Sequence, residues 1–172
     1  RAMFREAVER LRQQILDEKA DSASILNGLR DMRARLAEEK PQSGLWDLKR
    51  GYGGLQDIEL VAQGMALMQN CREGATAAQL QNAQCGHAPM IADFALLARS
   101  HDWLSELRLL HHLICGTAVQ SEAFAEGGFA RLRWIMKMGA EADFKQMITE
   151  HRGQCAEVIV QILGQSEGHG NE

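Results

Sequence analysis

The 172-residue sequence predicts an all-α fold, a single bundle of about seven helices. Apolar residues recur at spacings of three and four along most of the chain, which is the period of an amphipathic helix. The chain has only two prolines, and the alternating apolar pattern of half-buried strands is scarce. Hydrophobic residues make up 45% of the chain and charged residues 24%, as expected for a folded globular protein.

The first two predicted helices each carry one apolar stripe. Ser22 is the candidate N-cap of the second helix, because a serine hydroxyl can accept a hydrogen bond from the first turn. Pro41 and Gly44 end the helical pattern. The stripe residues are Phe4, Val8, Leu11 and Ile15 in the first helix, and Ile25, Leu29, Met32 and Leu36 in the second.

A third helix is predicted from Leu55 to about Arg72. Its apolar residues fall on nearly every side, which is typical of a central, buried helix. A short fourth helix follows from Thr76 to Gln84, with Gly86 as its terminator.

The C-terminal half is expected to form four more segments of helix. One begins near Pro89 and ends near Arg99, and Ser100 or Asp102 is expected to cap the next. Gly139 is expected to end the helix that carries Phe129, Leu132 and Ile135. The last helix has the clearest apolar pattern, from Phe144 to Leu163. Residues 1–164 are therefore expected to form one domain, and residues 165–172 a polar tail.

Composition argues against several classes of partner. The net charge of −4 gives no basic surface for nucleic acid. No apolar run reaches the roughly 18 residues that a membrane span needs. The cysteines form no C-x-x-C pair, so reduced thiols in a cytoplasmic protein are expected. They are Cys71, Cys85, Cys115 and Cys155.

The stretch "DLKRGYGGLQDIEL", residues 47–60, is the one candidate for chemistry. Backbone N–H groups of a glycine-rich turn before a helix can bind an anion, and Lys49 and Arg50 would add positive charge. Alternatively, Gly51, Gly53 and Gly54 supply positive φ and allow close packing. A short β-hairpin over residues 46–53 is a further alternative.

Two acidic residues in this stretch, Asp57 and Glu59, resemble a D-x-E metal pair. On a helix, however, residues two apart point in divergent directions, so these two cannot easily hold one ion. Asp57 is expected to lie in the first turn of the helix, where the helix dipole stabilises a negative charge. Glu59 is expected to need a partner, with Lys49 or Arg50 the nearest in sequence.

The histidines offer one further metal hypothesis. His111 and Cys115 are four residues apart on one helix face, which suits a pair of metal ligands. No second such pair exists, so a packed histidine is favoured, and no metal site is predicted.

The stretch also resembles a known family signature, D-x-K-x-G-x-G-G-[IL]-x-[DE]-I-E-[FL]. It is similar to the helical domain that follows each nucleotidyltransferase domain in glutamine synthetase adenylyltransferases. "LRDMRARLAEE", "WLSELRLLHHLI" and "HRGQCAEVIVQIL" extend the resemblance over nearly the whole chain. Tyr52 and Gln56 stand where many family members have Arg. The matching residues are Asp47, Lys49, Gly51, Gly53, Gly54, Leu55, Asp57, Ile58, Glu59 and Leu60.

The resemblance implies part of a bifunctional enzyme. Such enzymes transfer AMP from ATP to a tyrosine of glutamine synthetase and remove it by phosphorolysis, under control of the PII signal protein and glutamine. Their Mg²⁺-binding carboxylates lie in a G-S-…-D-x-D motif of the nucleotidyltransferase domain, which this sequence lacks. The polar tail suggests the C-terminal helical domain of the adenylylating half, inactive alone.

In that family this stretch would border the nucleotide cleft. The residues expected there are Lys49, Arg50, Gly51, Gly53 and Gly54, with Asp47, Asp57 and Glu59 as structural members of the motif. ATP and Mg²⁺ are implied for the whole enzyme, and the adjoining nucleotidyltransferase domain, glutamine synthetase and PII as its partners. Two alternatives stay open: the related helical domain of a PII uridylyltransferase, and a freestanding all-α interaction module.

Overall fold

The computed structural model describes residues 2–17, 21–86, 91–115, 127–139 and 141–164. Within these ranges all regular secondary structure is helical, which confirms the all-α prediction. The seven helices are α1 (Ala2–Asp17), α2 (Ser22–Glu39), α3 (Leu55–Met68), α4 (Thr76–Gly86), α5 (Ile91–Cys115), α6 (Gly128–Met136) and α7 (Glu141–Gly164).

Helix α3 is the centre of the bundle, as its all-round apolar pattern predicts. Ile58 and Val61 are fully buried, and α3 packs against α2, α4, α5 and α7. Gly64 allows a close approach of α3 to α2, because a Cβ atom there would overlap a methyl group of Leu29. Helix α3 therefore begins directly after the glycine-rich stretch and continues through the core of the bundle.

The core around α3 is aliphatic and aromatic. Cys71 and Cys155 are buried free thiols, consistent with reduced cysteines. The side chains of Cys85 and Cys115 lie outside the described part. The largest fully buried side chains outside α3 are Phe94, Phe144, Leu48, Leu80, Leu97, Leu104, Leu107, Leu132, Ile148 and Ile159.

The predicted break at Ser100 or Asp102 is wrong, since α5 runs unbroken from Ile91 to Cys115. Ser100 is 1% exposed and packed inside the bundle. Burial of α5 in the bundle outweighs the local preference of serine and aspartate for a cap. Pro89 lies outside the described residues.

Four predicted helix ends also differ. Helix α4 ends at Gly86 and not at Gln84. Asp21, not Ser22, caps α2, because its carboxylate accepts a hydrogen bond from Ser24 N. Helix α3 ends at Met68, shortly before Asn70 takes a left-handed φ of 52°. Helix α6 ends at Met136, where Lys137 takes a left-handed φ of 55°, so Gly139 is not the stop.

The alternative of a β-hairpin over residues 46–53 is also wrong. This segment forms successive turns without a strand. Gly51 and Gly53 have φ values of 80° and 68°, which fold the backbone back on itself instead of extending it.

Helix α1 forms as predicted, but its apolar stripe faces outward. Phe4 is 76% exposed and Leu11 58%. The bundle core therefore does not use this stripe. None of the described helices combines the length and the apolar character that a bilayer crossing requires. The predicted polar tail, residues 165–172, lies outside the described residues.

Candidate functional site

The candidate site is the glycine turn, defined here as residues 47–54, which leads into α3. Gly53 is the tightest point: its φ is positive, and a Cβ atom there would overlap the backbone carbonyl of Arg152 on α7. At Gly54 a Cβ atom would lie 2.9 Å from the carbonyl oxygen of Arg50. The structural explanation of these glycines therefore holds, since both conformation and space require them.

Asp47 organises the first half of the turn. Its carboxylate accepts hydrogen bonds from Ser43 N at 3.2 Å, from Ser43 Oγ at 3.1 Å and from Arg50 N at 3.2 Å. The residue is 7% exposed. Asp47 thus holds the loop before the turn and the turn itself in one conformation.

The first N–H groups of α3 are bonded within the chain. Leu55 N donates to Leu48 O and Gln56 N to Lys49 O, both at 3.0 Å. Gly53 N donates to Asp57 Oδ2 at 2.8 Å, and Gly54 N donates to Gly51 O at 3.1 Å. These are the donors that a phosphate cradle would present. Because these N–H groups already have acceptors within the chain, binding of an anion at this turn would depend chiefly on the side chains of Lys49 and Arg50.

Asp57 lies in the first turn of α3, as predicted, and forms a paired contact with Arg33 of α2. Arg33 Nε donates to Oδ1 at 2.8 Å and Arg33 Nη2 to Oδ2 at 3.2 Å. The same guanidinium lies 4.5 Å from the centre of the Tyr52 ring. Two-point contact and cation–π stacking fix the direction of Arg33, so α2 is held against the turn.

Arg152 of α7 is the residue that connects the turn to the far end of the chain. Its guanidinium donates to Asp47 O at 3.1 Å, to Arg50 O at 2.6 Å and to Gln42 Oε1 at 2.9 Å. The residue is 5% exposed. Burial lowers the pKa of Arg152, and the nearby carboxylates of Asp47 and Asp57 oppose that shift.

No role for Arg152 was predicted from the sequence, although the stretch that contains it formed part of the family resemblance. No local pattern relates it to a turn about a hundred residues earlier. An isolated arginine on the otherwise apolar face of the last helix was the available signal, because a buried cation needs acceptors.

Lys49 and Arg50 are both exposed. Among the described residues neither side chain forms an ion pair, whereas the backbone of both is held by the turn and by Arg152. Neither is the partner of Glu59, contrary to the expectation from sequence distance. Their proposed place at a nucleotide cleft stays a prediction.

Glu59 faces α5, where its Oε1 lies 3.8 Å from His101 Nε2. His101 Nδ1 in turn lies 3.4 Å from Asp102 Oδ1. Glu59 therefore has a partner on a neighbouring helix, well away from Asp57, as the helical geometry predicts. Within the described ranges, no three His, Cys, Asp or Glu side chains cluster closely enough to hold a metal ion.

Trp46 anchors the turn in the core. Its ring stacks on His111 at 5.1 Å and on Phe144 at 5.8 Å, and meets Phe129 edge-on at 6.0 Å. Burial lowers the pKa of His111, and the neighbouring His112 adds to this shift. His111 is thus a packed core histidine; the side chain of Cys115 is outside the described part.

A shallow groove runs beside the turn, between α2 and α7. Its volume is about 510 Å³, and Tyr52 and Arg33 form one side while Ala156 and Val160 form the other. Tyr52 is 56% exposed and Val160 equally so. The turn therefore presents cations and an accessible apolar surface on a fixed backbone.

Comparison with known proteins gives one family. The sequence model of the family described as GlnD PII-uridylyltransferase matches residues 30–163, more than half of the chain. The glycine turn, α3 and Arg152 all lie within this span. No solved structure matches the chain significantly.

Curated relatives carry the name bifunctional glutamine synthetase adenylyltransferase/adenylyl-removing enzyme. One from Rhodopseudomonas palustris (strain BisB5) is 30% identical over 169 residues, which cover 94% of this chain and 17% of the relative. One from Bradyrhizobium sp. (strain ORS 278) is 40% identical over 65 residues, 38% of this chain and 7% of the relative. One from Rhizobium meliloti (strain 1021) is 44% identical over 59 residues, 34% of this chain and 6% of the relative.

Proposed function

The chain belongs to the family described as GlnD PII-uridylyltransferase, and from this premise we propose that it is the helical domain of a bifunctional nucleotidyltransferase. That enzyme would adenylylate and deadenylylate a tyrosine of glutamine synthetase. The observation that carries the proposal is the similarity over 169 residues to a relative of that name. Because the chain spans 17% of that relative, the activity is proposed for a longer protein.

In this proposal the reaction takes place in an adjoining nucleotidyltransferase domain. ATP and Mg²⁺ would bind there, because the G-S-…-D-x-D motif is missing from the present sequence. Glutamine synthetase and the PII protein are the proposed partners of the whole enzyme. Cysteines without a C-x-x-C pair favour a cytoplasmic location.

The proposed role of this chain is to border the nucleotide cleft with the glycine turn. Hydrogen bonds of Asp47, Asp57 and Arg152 hold the backbone of the turn in one conformation. The side chains of Lys49 and Arg50 therefore extend from a fixed backbone. Negative charge on phosphate oxygens is stabilised by cations that are already in position before the reaction. Tyr52 and Gln56 replace the arginines common in this family, which leaves Lys49 and Arg50 as the cations of the turn.

The test uses the longer protein that contains this chain, with labelled ATP, Mg²⁺ and glutamine synthetase. We expect label on the synthetase, and transfer about 10-fold slower or more after Lys49→Ala or Arg50→Ala, from the loss of one phosphate contact. Arg108→Ala, at an exposed position on α5, is the matched control and should leave the rate unchanged. The 172-residue chain alone should transfer no label.

Two results would contradict the proposal. Label transferred by the pure 172-residue chain would place catalysis inside the bundle. Alternatively, normal turnover together with a lowered melting temperature in Lys49→Ala would show that Lys49 is structural and does not face the cleft.

A second candidate follows from the family description itself. A PII uridylyltransferase would use UTP and label the PII protein instead. Offering the longer protein both nucleotides and both protein substrates separates the two candidates. Preference for UTP and PII would replace the first proposal by the second.

A further inference from the structure

Helix α1 is the least integrated element among those described. Its hydrogen bonds to the bundle lie in its C-terminal half: Arg12 donates to the carbonyl oxygens of Arg72 and Glu73, and Asn70 Nδ2 donates to Asp17 Oδ1 at 3.2 Å. These bonds fix one end of the helix. They leave its apolar stripe without a place in the core.

The stripe is regular and exposed. Phe4, Val8, Leu11 and Ile15 recur at spacings of four, three and four, which is the seam of a coiled-coil helix. Their exposed fractions are 76%, 49%, 58% and 52%. An isolated helix of this length is marginal in water, and an exposed apolar seam marks an interaction surface.

The stripe continues into a groove. Val8, Leu11 and Ile15 face Ala66 and Leu67 of α3 across a space of about 440 Å³. Leu67 is itself 42% exposed. An apolar segment that enters this groove would cover α1 and the outer side of α3 together, as in helix-in-groove recognition.

We propose that this stripe and groove are the surface on which the bundle docks against the adjoining catalytic domain of the longer protein. This inference rests on the proposed function. It also uses a separate observation: the family model begins at residue 30, so α1 lies outside the unit that the family shares. The alignment with the R. palustris relative nevertheless covers 94% of the chain.

The small size of this surface favours the adjoining catalytic domain, and not a second copy of the chain, as the partner that covers it. A stable interface between separate molecules uses about 20–30 residues on each side, far more than one four-residue stripe offers. Two domains on one polypeptide need much less, because the linkage gives an effective concentration in the millimolar range.

The test compares amide hydrogen exchange of α1 in the 172-residue chain and in the longer protein. We expect α1 amides to exchange at least about 10-fold more slowly in the longer protein, because docking suppresses local opening. Val8→Asp with Leu11→Asp should restore fast exchange there, and Leu11→Ala is the milder variant if the double change prevents folding. Leu109→Asp, at a position 57% exposed on α5, is the control and should leave α1 protected.

Equal exchange of α1 in the two proteins would overturn the docking proposal. So would a dimer of the 172-residue chain that Leu11→Asp dissociates, since a second copy would then cover the stripe. Protection of α1 in a longer protein that transfers no nucleotide would support docking and reject the proposed function. Nucleotide transfer without protection of α1 would support the function and reject docking.

Discussion

The glycine turn and helix α1 differ in which side chains are buried and which are exposed. The three charged side chains that hold the turn are buried and hydrogen-bonded: Asp47, Asp57 and Arg152 are each less than 10% exposed. In α1, apolar groups are exposed and have few partners in the bundle. Buried charge requires acceptors and donors in fixed positions, whereas exposed apolar surface sets no geometry until a partner arrives. The backbone of the turn is therefore fixed by contacts within this chain, whereas the apolar stripe of α1 stays exposed.

Removal of Arg152 should have the largest effect on this comparison. Arg152→Met should lower the free energy of unfolding by about 3 kcal/mol, because it leaves the backbone carbonyl groups of Asp47 and Arg50 without their donor. For a protein of this size, this corresponds to a drop of roughly 6–12 °C in melting temperature.

The matched control for Arg152→Met is Arg131→Ala, an exposed arginine on α6. It should change the melting temperature by less than about 2 °C. An equal effect of the two changes would mean that the turn does not depend on Arg152.

Gly53→Ala should have the next largest effect. The added Cβ atom would overlap the Arg152 carbonyl, and alanine disfavours the positive φ of Gly53. We expect a loss of about 2 kcal/mol, measured by urea unfolding.

Gly153→Ala on α7 is the control, since nothing lies within 4 Å of a Cβ atom there. In a helix this change should stabilise the fold by roughly 0.5–1 kcal/mol. Opposite signs for two glycines in contacting elements would establish that the turn, and not glycine content, sets the requirement.

Acid should weaken the bundle through one buried and one half-buried histidine. Burial lowers the pKa of His111 and of His151 in the folded state, so the unfolded chain binds more protons below the ordinary histidine pKa of about 6.5. Stability is then fully present above that pH and is lost as the pH falls below it. Thermal melting between pH 7.5 and 5.5 should show this decline, and His111→Gln should reduce it. A melting temperature that rises on acidification would contradict the assignment.

The smallest effect on stability is expected in α1. Leu11→Ala should change the free energy of unfolding of the 172-residue chain by no more than about 0.5 kcal/mol, because Leu11 is largely exposed. Ile58→Ala on α3, fully buried, is the contrasting change and should cost about 2–5 kcal/mol. If Leu11→Ala were the more damaging of the two, α1 would belong to the core.

Sequence periodicity predicted the helices well where packing and pattern agree. The all-round apolar pattern of α3 correctly placed it at the centre, and the stripe of α7 gave its extent. Ser100 shows the limit: a polar residue that favours a cap is buried inside α5 because its neighbours must pack. The preference of a residue for a helix cap does not show whether the folded protein buries that residue.

The site was predicted in part. Within residues 47–60, which the signature singled out, the structure has a glycine turn, while a functional role for these residues stays a prediction. The helical position of Asp57 and Glu59 correctly predicted that the two side chains diverge. Their partners, Arg33 and His101, could not be predicted, because contacts between helices depend on how the helices cross. Arg152 was missed for the same reason.

The bond from Arg152 to Asp47 O has a consequence for the order of folding, because it joins residues 105 positions apart. Arg33 and Asp57 are separated by only 24 positions and can meet early. During synthesis, the ribosome must add about a hundred residues after the turn before its anchor exists, at about 5–20 residues per second. The nascent turn would therefore spend several seconds without its anchor, and late closure of long-range contacts should slow the final step of folding.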